Sequence, residues 1–120
     1  MLPRIARLTS PSDFARTTKS GIRATSENLV GYLYIAPAEN SAPRAGLIVG
    51  KGVGGSVQRH RLSRQIRHAI APILNTLPTG SLLVIRALNM SPDVEGESSK
   101  IISTLIKKSE KFAAESGAAL

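Results

Sequence analysis

The 120-residue sequence contains no cysteine and no tryptophan. Without a thiol, disulfides, thiolate metal sites and cysteine nucleophiles are excluded together. Aromatic residues amount to only 3%: Phe14, Tyr32, Tyr34 and Phe112. No apolar run approaches the ~20 residues that a bilayer span requires. The opening Met1-Leu2-Pro3-Arg4 lacks the apolar core and small-residue cleavage site of a secretory signal. The expectation is a cytoplasmic protein with no membrane association. The length suits one modest core, so a single domain over 1–120 is expected, with about 114–120 as a flexible tail.

Acidic residues are also scarce. Eight Asp plus Glu face sixteen Lys plus Arg, giving a net charge of +8 and a pI near 10.7. Such a balance predicts attraction to polyanions, nucleic acid before membrane. The placement of the charge says more than its sum. Lys51, Arg59, Arg61, Arg64 and Arg67 share one stretch that contains no acid. Arg4, Arg7, Arg16, Lys19 and Arg23 crowd the N-terminal part around the single acid Asp13. Asp93, Glu95 and Glu97 gather in a loop rich in Gly, Ser and Pro and read as solvated. Charge segregated in this way marks a binding face.

Ser10-Pro11-Ser12-Asp13 reads as a helix start: Ser10 as cap, Pro11 at the first helical position, Asp13 placed to reach back as a capping-box acid. Gly21 should end that helix. Arg23 to Ile35 reads as extended, strongest from Leu29. Period two puts Val30, Tyr32 and Tyr34 on one face and Leu29, Leu33 and Ile35 on the other. A loop over Pro37–Pro43, a strand over Ala45–Val49 and a glycine-rich turn follow.

A second helix runs from about Ser56 to Ala71. At ~100° per residue Leu62, Ile66, Ala69, Ile70 and Ile73 make its apolar stripe, and His60, Arg61, Arg64, Arg67 and His68 cover the opposite side. Ser81 to Ala87 is a buried strand. Ser98 or Ser99 should cap a last helix carrying Ile101, Ile102, Leu105, Ile106 and Phe112. The sum is an α+β sandwich with helices over a small sheet.

The run Gly54 to Ala69, with Arg59-His60-Arg61, Ser63-Arg64 and Arg67-His68, resembles the signature helix of the bacterial ribonuclease P protein family. Leu2-Pro3-Arg4, Arg7-Leu8, Asp13-Phe14, Gly21, Leu29-Val30, Tyr32, the Gly46–Lys51 strand and the Ser81–Ile85 strand follow in the family's order, so the resemblance covers nearly the whole chain. There are departures. His60 stands where Asn is usual, Ser63 where Lys, His68 where an acid or amide, Gly52 where a second Lys and Thr18 where a second aromatic; Arg86 comes one position before the family's Arg.

The resemblance implies an αβββαβα order and a four-stranded sheet with a left-handed βαβ crossover, like the second domain of a small-subunit ribosomal protein. General rules favour the right-handed form. It also implies a protein subunit that carries no catalytic residue. The catalytic RNA, with Mg2+ bound mainly by that RNA, removes the 5′ leader of precursor tRNA. No protein partner, organic cofactor or protein-held metal is implied.

Lys51, Arg59, His60, Arg61, Arg64 and Arg67 are the expected RNA contacts, since guanidinium groups match phosphate with paired hydrogen bonds. His60 and His68 fit ordinary surface histidines equally well. Phe14 and Tyr32 resemble the residues of the family's leader cleft, where aromatic faces stack on unpaired bases. With so few aromatics, core packing competes with that role. For Phe14 the two are even, for Tyr32 the cleft is favoured, and Tyr34 fits core or rim. Two other functions are weighed. A general structured-RNA or ribosomal-type binding module would use the same basic face. A stand-alone nuclease would need His60 or His68, which lie eight residues apart on one helix, too far to share a metal or a proton transfer.

Overall fold

The computed structural model describes residues 7–8, 10–35 and 42–118, with side chains described as far as residue 111. Leu2, Pro3 and Arg4, most of the 37–43 loop and the Phe112 side chain lie outside them. The order is α1 (Pro11–Ser20), β1 (Ile22–Thr25), β2 (Leu29–Ile35), β3 (Arg44–Val49), α2 (Ser56–Ile70), β4 (Ser81–Ala87) and α3 (Val94–Ala118), the expected αβββαβα sequence. Short 3-10 turns at Lys51–Val53 and Leu74–Thr76 flank α2. No helix among the described residues is long and apolar enough to cross a membrane.

The four strands form one mixed sheet in the order β1-β2-β4-β3. The extended stretch from Arg23 is a hairpin: β1 and β2 pair antiparallel, and the Ser26 N–H closes the turn on the Leu29 carbonyl at 2.8 Å. β2 pairs antiparallel with β4, placing Tyr32 opposite Val84 and Val30 opposite Arg86. β3 and β4 are parallel neighbours joined through α2. Two antiparallel strands can turn back directly, but parallel strands need a crossover, and α2 supplies it.

Period-two alternation then decides which layer each side chain enters. Leu29 and Leu33 of β2, Ala45 of β3 and Leu83 and Ile85 of β4 face one way. They meet Leu62, Ile66 and Ile70 of α2 and Ile101, Ile102 and Leu105 of α3 in the main core. Gly31 lets α3 sit directly on β2, since a Cβ there would lie 2.3 Å from Ile101 Cγ2. The other face holds a smaller cluster of Leu8, Leu82 and Val84, packed with Phe14, Tyr32, Tyr34 and Ile48. α1 lies against β2 and β4 on that side and covers only part of it.

Three local expectations are corrected. Ser10 stands at the α1 cap position, but its Oγ meets Ser12 Oγ at 3.0 Å instead of a backbone N–H. Asp13 does not reach back; its carboxylate accepts from Arg16 at 2.6 Å and lies 4.0 Å from Arg44. A guanidinium gives it a charge-assisted bond that a lone N–H does not match. α3 is capped by Asp93 and not by Ser98 or Ser99: Asp93 Oδ1 accepts the Gly96 N–H at 3.0 Å, so the helix starts four residues before Ser98. Ser98 is instead fully buried inside the helix. α3 runs on to Ala118.

Gly21 does end α1, though not through a left-handed cap. Its φ of −79° suits any residue. Space is what requires glycine, because a Cβ would stand 2.3 Å from the Thr17 carbonyl oxygen and 2.8 Å from that of Leu33.

Candidate nucleic-acid interface

The basic strip is built by α2. Three turns of apolar residues, Leu62, Ile66 and Ile70, are fully buried, which fixes the rotation of the helix and turns His60, Arg61, Arg64 and His68 to solvent. Gly54, at φ +150°, makes the bend between the 3-10 turn and α2 that a side-chain-bearing residue rarely adopts, and it brings exposed Lys51 to the start of the helix. The first turn of α2 contains no acid. Among the described residues, carboxylate ion pairs are confined to Asp13 with Arg16 and Arg44, and none reaches a basic residue of α2. A row of guanidinium groups with no carboxylate partner among the described residues leaves a strip of positive charge facing solvent.

The members of the strip are not equivalent. Arg59 is half-buried, and its Nε is shielded from solvent with no hydrogen-bond partner among the described residues. One turn before Leu62 and Ser63, it sits at the margin of the core and presents less of its fork than Arg61 or Arg64. Arg67 is half-buried too, but it opens into a groove with Arg7, Leu8, Phe14 and Gly46. That groove joins the α2 strip to α1 around the β3 edge, where the Leu8 N–H bonds the Ala45 carbonyl at 2.8 Å.

Phe14 rests on β3 because residue 46 is glycine: a Cβ there would lie 2.3 Å from the ring's Cζ. The ring is half-buried, packing in the smaller cluster and lining the groove at once. Tyr32 is half-buried on the sheet face that α1 only partly covers. Tyr34, on the same face, lies under the Arg16 guanidinium, 5.4 Å from ring centroid to Arg16 Cζ.

Two cations absent from the expected site flank Tyr32. Arg23 is directly opposite it on β1, and Arg86 projects beside it on β4, across from Val30. Both are exposed. Lys108 adds positive charge at the β1 edge, its Nζ donating to the Arg23 carbonyl at 2.8 Å. The alternation Leu82, Val84, Arg86 carried the signal for Arg86, but the strand is buried on both faces up to that residue and reads as wholly interior. Arg23 could be placed only once the hairpin register was known.

Of the acidic cluster, Asp93 and Glu95 are exposed as expected, but Glu97 is half-buried and engaged. Glu97 accepts hydrogen bonds from Ser26 Oγ at 2.5 Å, the Asn28 N–H at 2.8 Å, Asn28 Nδ2 at 3.1 Å and Ser91 Oγ. Burial opposes its ionisation, yet the Ser26, Ser91 and Asn28 donors more than overcome that, and its pKa is lowered to about 2. Glu97 therefore ties the β1–β2 turn, and with it Arg23, to α3. Asp93 and Glu95 line a second groove with Arg64, Gln65 and His68. His60 lines a different one, with Val57, Arg61 and Arg64. Among the described residues no group of three or more His, Asp or Glu is arranged to hold a metal ion.

Comparison with known proteins gives this geometry its context. A family model described as Ribonuclease P matches residues 2–111. The chain belongs to the ribonuclease P protein family. It is 43% identical over 88 residues to the ribonuclease P protein component of Mycobacterium sp. (strain KMS), covering 73% of this chain and 75% of the relative. To that of Mycobacteroides abscessus it is 45% identical over 96 residues, 76% of each. The fold is similar to that of a Staphylococcus aureus RNase P protein mutant with defective mRNA degradation activity, with a TM-score of 0.70 at 18% identity, covering 82% of this chain and 86% of that one. The chain is thus a bacterial-type ribonuclease P protein subunit, a component of an RNA-containing ribonuclease whose family role is tRNA processing.

Proposed function

We propose that this ribonuclease P subunit holds the catalytic RNA on the α2 strip and passes the 5′ leader of precursor tRNA across the open sheet face, while the RNA performs the hydrolysis. The observation that carries this reading is the set of α2 guanidinium groups left without carboxylate partners among the described residues. A folded polyanion supplies the missing counter-charge, with Arg61 and Arg64 as the most accessible forks, Arg67 at the junction of the two surfaces and Lys51 and Arg59 at the helix start. His60 is exposed within the same strip and adds a further donor when protonated.

Tyr32 offers a ring for an unpaired base, and Arg23 and Arg86 stand on either side of it for the backbone phosphates of a single strand. Phe14 closes the floor of the path at the groove shared with Arg67. Single-stranded RNA needs both elements: stacking that tolerates any base, and cations spaced along the backbone.

On this reading Mg2+ is held mainly by the RNA. The chain's part is positioning. By fixing leader and catalytic RNA on one rigid sheet it aligns the scissile bond and screens the repulsion between two polyanions. The same reading places the protein in the cytoplasm with precursor tRNA.

Reconstitution tests it. The purified chain alone should leave precursor tRNA uncut, and together with its host's catalytic RNA it should restore leader removal at magnesium concentrations too low for the RNA alone. Cutting by the chain alone, or no rescue of the RNA, overturns the proposal.

A further inference from the structure

The α2 strip has two flanks of opposite character. Towards β3, Arg67 shares its groove with Arg7 and Phe14, and no carboxylate lines it among the described residues. Towards α3, Arg64 and His68 share theirs with Asp93 and Glu95. Neither carboxylate closes an ion pair with Arg64 among the described residues.

The N-terminus of α3 opens onto this second groove. A helix start of that length is a ready anion site, its free N–H groups pointing outward with the positive end of the dipole. Here it is closed to anions. Asp93 occupies the Gly96 N–H at 3.0 Å, and Glu95 and Glu97 follow in the first turn. Asp93 has a structural reason as the cap and Glu97 has one as the anchor of the β1–β2 turn. Glu95 is exposed and its side chain makes no hydrogen bond or ion pair among the described residues, so its charge serves the fold only through the helix dipole.

We propose that Glu95 is a specificity-determining residue that bounds the RNA footprint on its α3 side by repelling phosphate, an inference that rests on α2 being the RNA-holding surface. A strand drawn to Arg64 from this side comes within a Debye length, ~8 Å at physiological salt, of two carboxylates. On the Arg67 side no carboxylate is among the described residues that line the groove, and the nearby Asp13 is already paired with Arg16. Unrelated RNA, which settles on any cationic surface, loses the first approach, and RNA shaped to follow the strip towards β3 keeps the second. Discrimination of this kind works by penalising the wrong partner.

The test compares two probes against the full chain: its host's catalytic RNA, and a 24-base-pair RNA duplex of arbitrary sequence. Glu95→Gln should tighten duplex binding ~3-fold and Glu95→Lys ~10-fold, with a steeper fall of affinity with salt for Glu95→Lys. Binding of the catalytic RNA should stay within ~2-fold in both. Equal tightening for the two RNAs would show Glu95 to be one generic charge among many, and no change in either would remove it from the interface; each result overturns the proposal. Arg64→Ala serves as the separate control. If it leaves the salt dependence of catalytic-RNA binding unaltered, the reading of α2 fails, whatever Glu95 does.

Discussion

Glu97, in the first turn of α3, holds Asn28 at the β1–β2 turn through both its backbone N–H, at 2.8 Å, and its side-chain amide, at 3.1 Å. With Ser26 and Ser91 donating as well, the carboxylate is a junction between the start of α3 and the β1–β2 turn. Its pKa is lowered from 4.5 to about 2. A carboxyl that is more acidic folded than unfolded stabilises the fold fully above its unfolded pKa, and loses that contribution as pH falls through the folded value. Unfolding free energy should therefore decline between about pH 4.5 and 2. Glu97→Gln should flatten this window and cost roughly 1–3 kcal/mol at pH 7, the full shift being discounted for partial solvent screening. Chemical denaturation across pH checks it. A variant that keeps the wild-type acid profile would show that the junction contributes nothing.

Gly46 and Phe14 give a second test, on packing. A methyl group at position 46 would stand 2.3 Å and 2.7 Å from two ring carbons of Phe14 and 3.2 Å from Leu8 Cβ. Gly46→Ala should force the ring off β3 and destabilise by about 1–3 kcal/mol, as overpacking does. Phe14→Leu in the Gly46→Ala background should recover part of the loss, since a branched chain can yield where a flat ring cannot. Thermal melts of the two variants read this directly, and a Gly46→Ala protein as stable as the parent would mean the ring is not seated there.

The strip on α2 was legible from sequence because one helix carries both halves of its signal. The stripe Leu62, Ile66 and Ile70 sets the rotation, and the arginines fall where the remaining circumference puts them. The start of α3 was not legible. Val94-Glu95-Gly96-Glu97 has a glycine, two acids and a single apolar residue, two turns ahead of Ile101 with only small or polar residues between. It is the Asp93 cap and the Glu97 N–H bond to the Asp93 carbonyl that show it is helix. Glu97 was misread for a different reason: its partners at Ser26 and Asn28 lie about seventy residues earlier in the chain. Arg23 and Tyr32 likewise meet through a hairpin register that no local pattern encodes. Faces set by a strong apolar period were readable; helix caps and features assembled between elements were not.

Salt titration separates phosphate contacts from mere proximity. Each phosphate neutralised by a cation releases a counter-ion, so the logarithm of affinity falls with the logarithm of salt in proportion to the number of contacts. Arg64→Ala should flatten the slope for catalytic RNA by about one unit. Arg59→Ala should flatten it less, because the Arg59 Nε is already withdrawn from solvent. If Arg59→Ala produces the larger change, the strip is read from the wrong end.

The leader path makes the sharpest demand on the sheet face. Tyr32, Arg23 and Arg86 lie side by side in the strand register, away from α2, so their loss should affect precursor tRNA and spare mature tRNA. With the reconstituted holoenzyme, Arg23→Ala and Arg86→Ala should each weaken precursor binding ~3- to 10-fold, less than a buried charge-assisted bond contributes because both guanidinium groups are exposed and screened. Tyr32→Phe should bind nearly as the parent does, because stacking needs the ring and not the hydroxyl. Tyr32→Ala should lose ~5-fold or more, at the lower end of what one stacked base contributes. The ratio of precursor to mature affinity is the decisive readout, since a packing defect at half-buried Tyr32 would lower both together. An unchanged ratio in all four variants would move the leader off this face altogether.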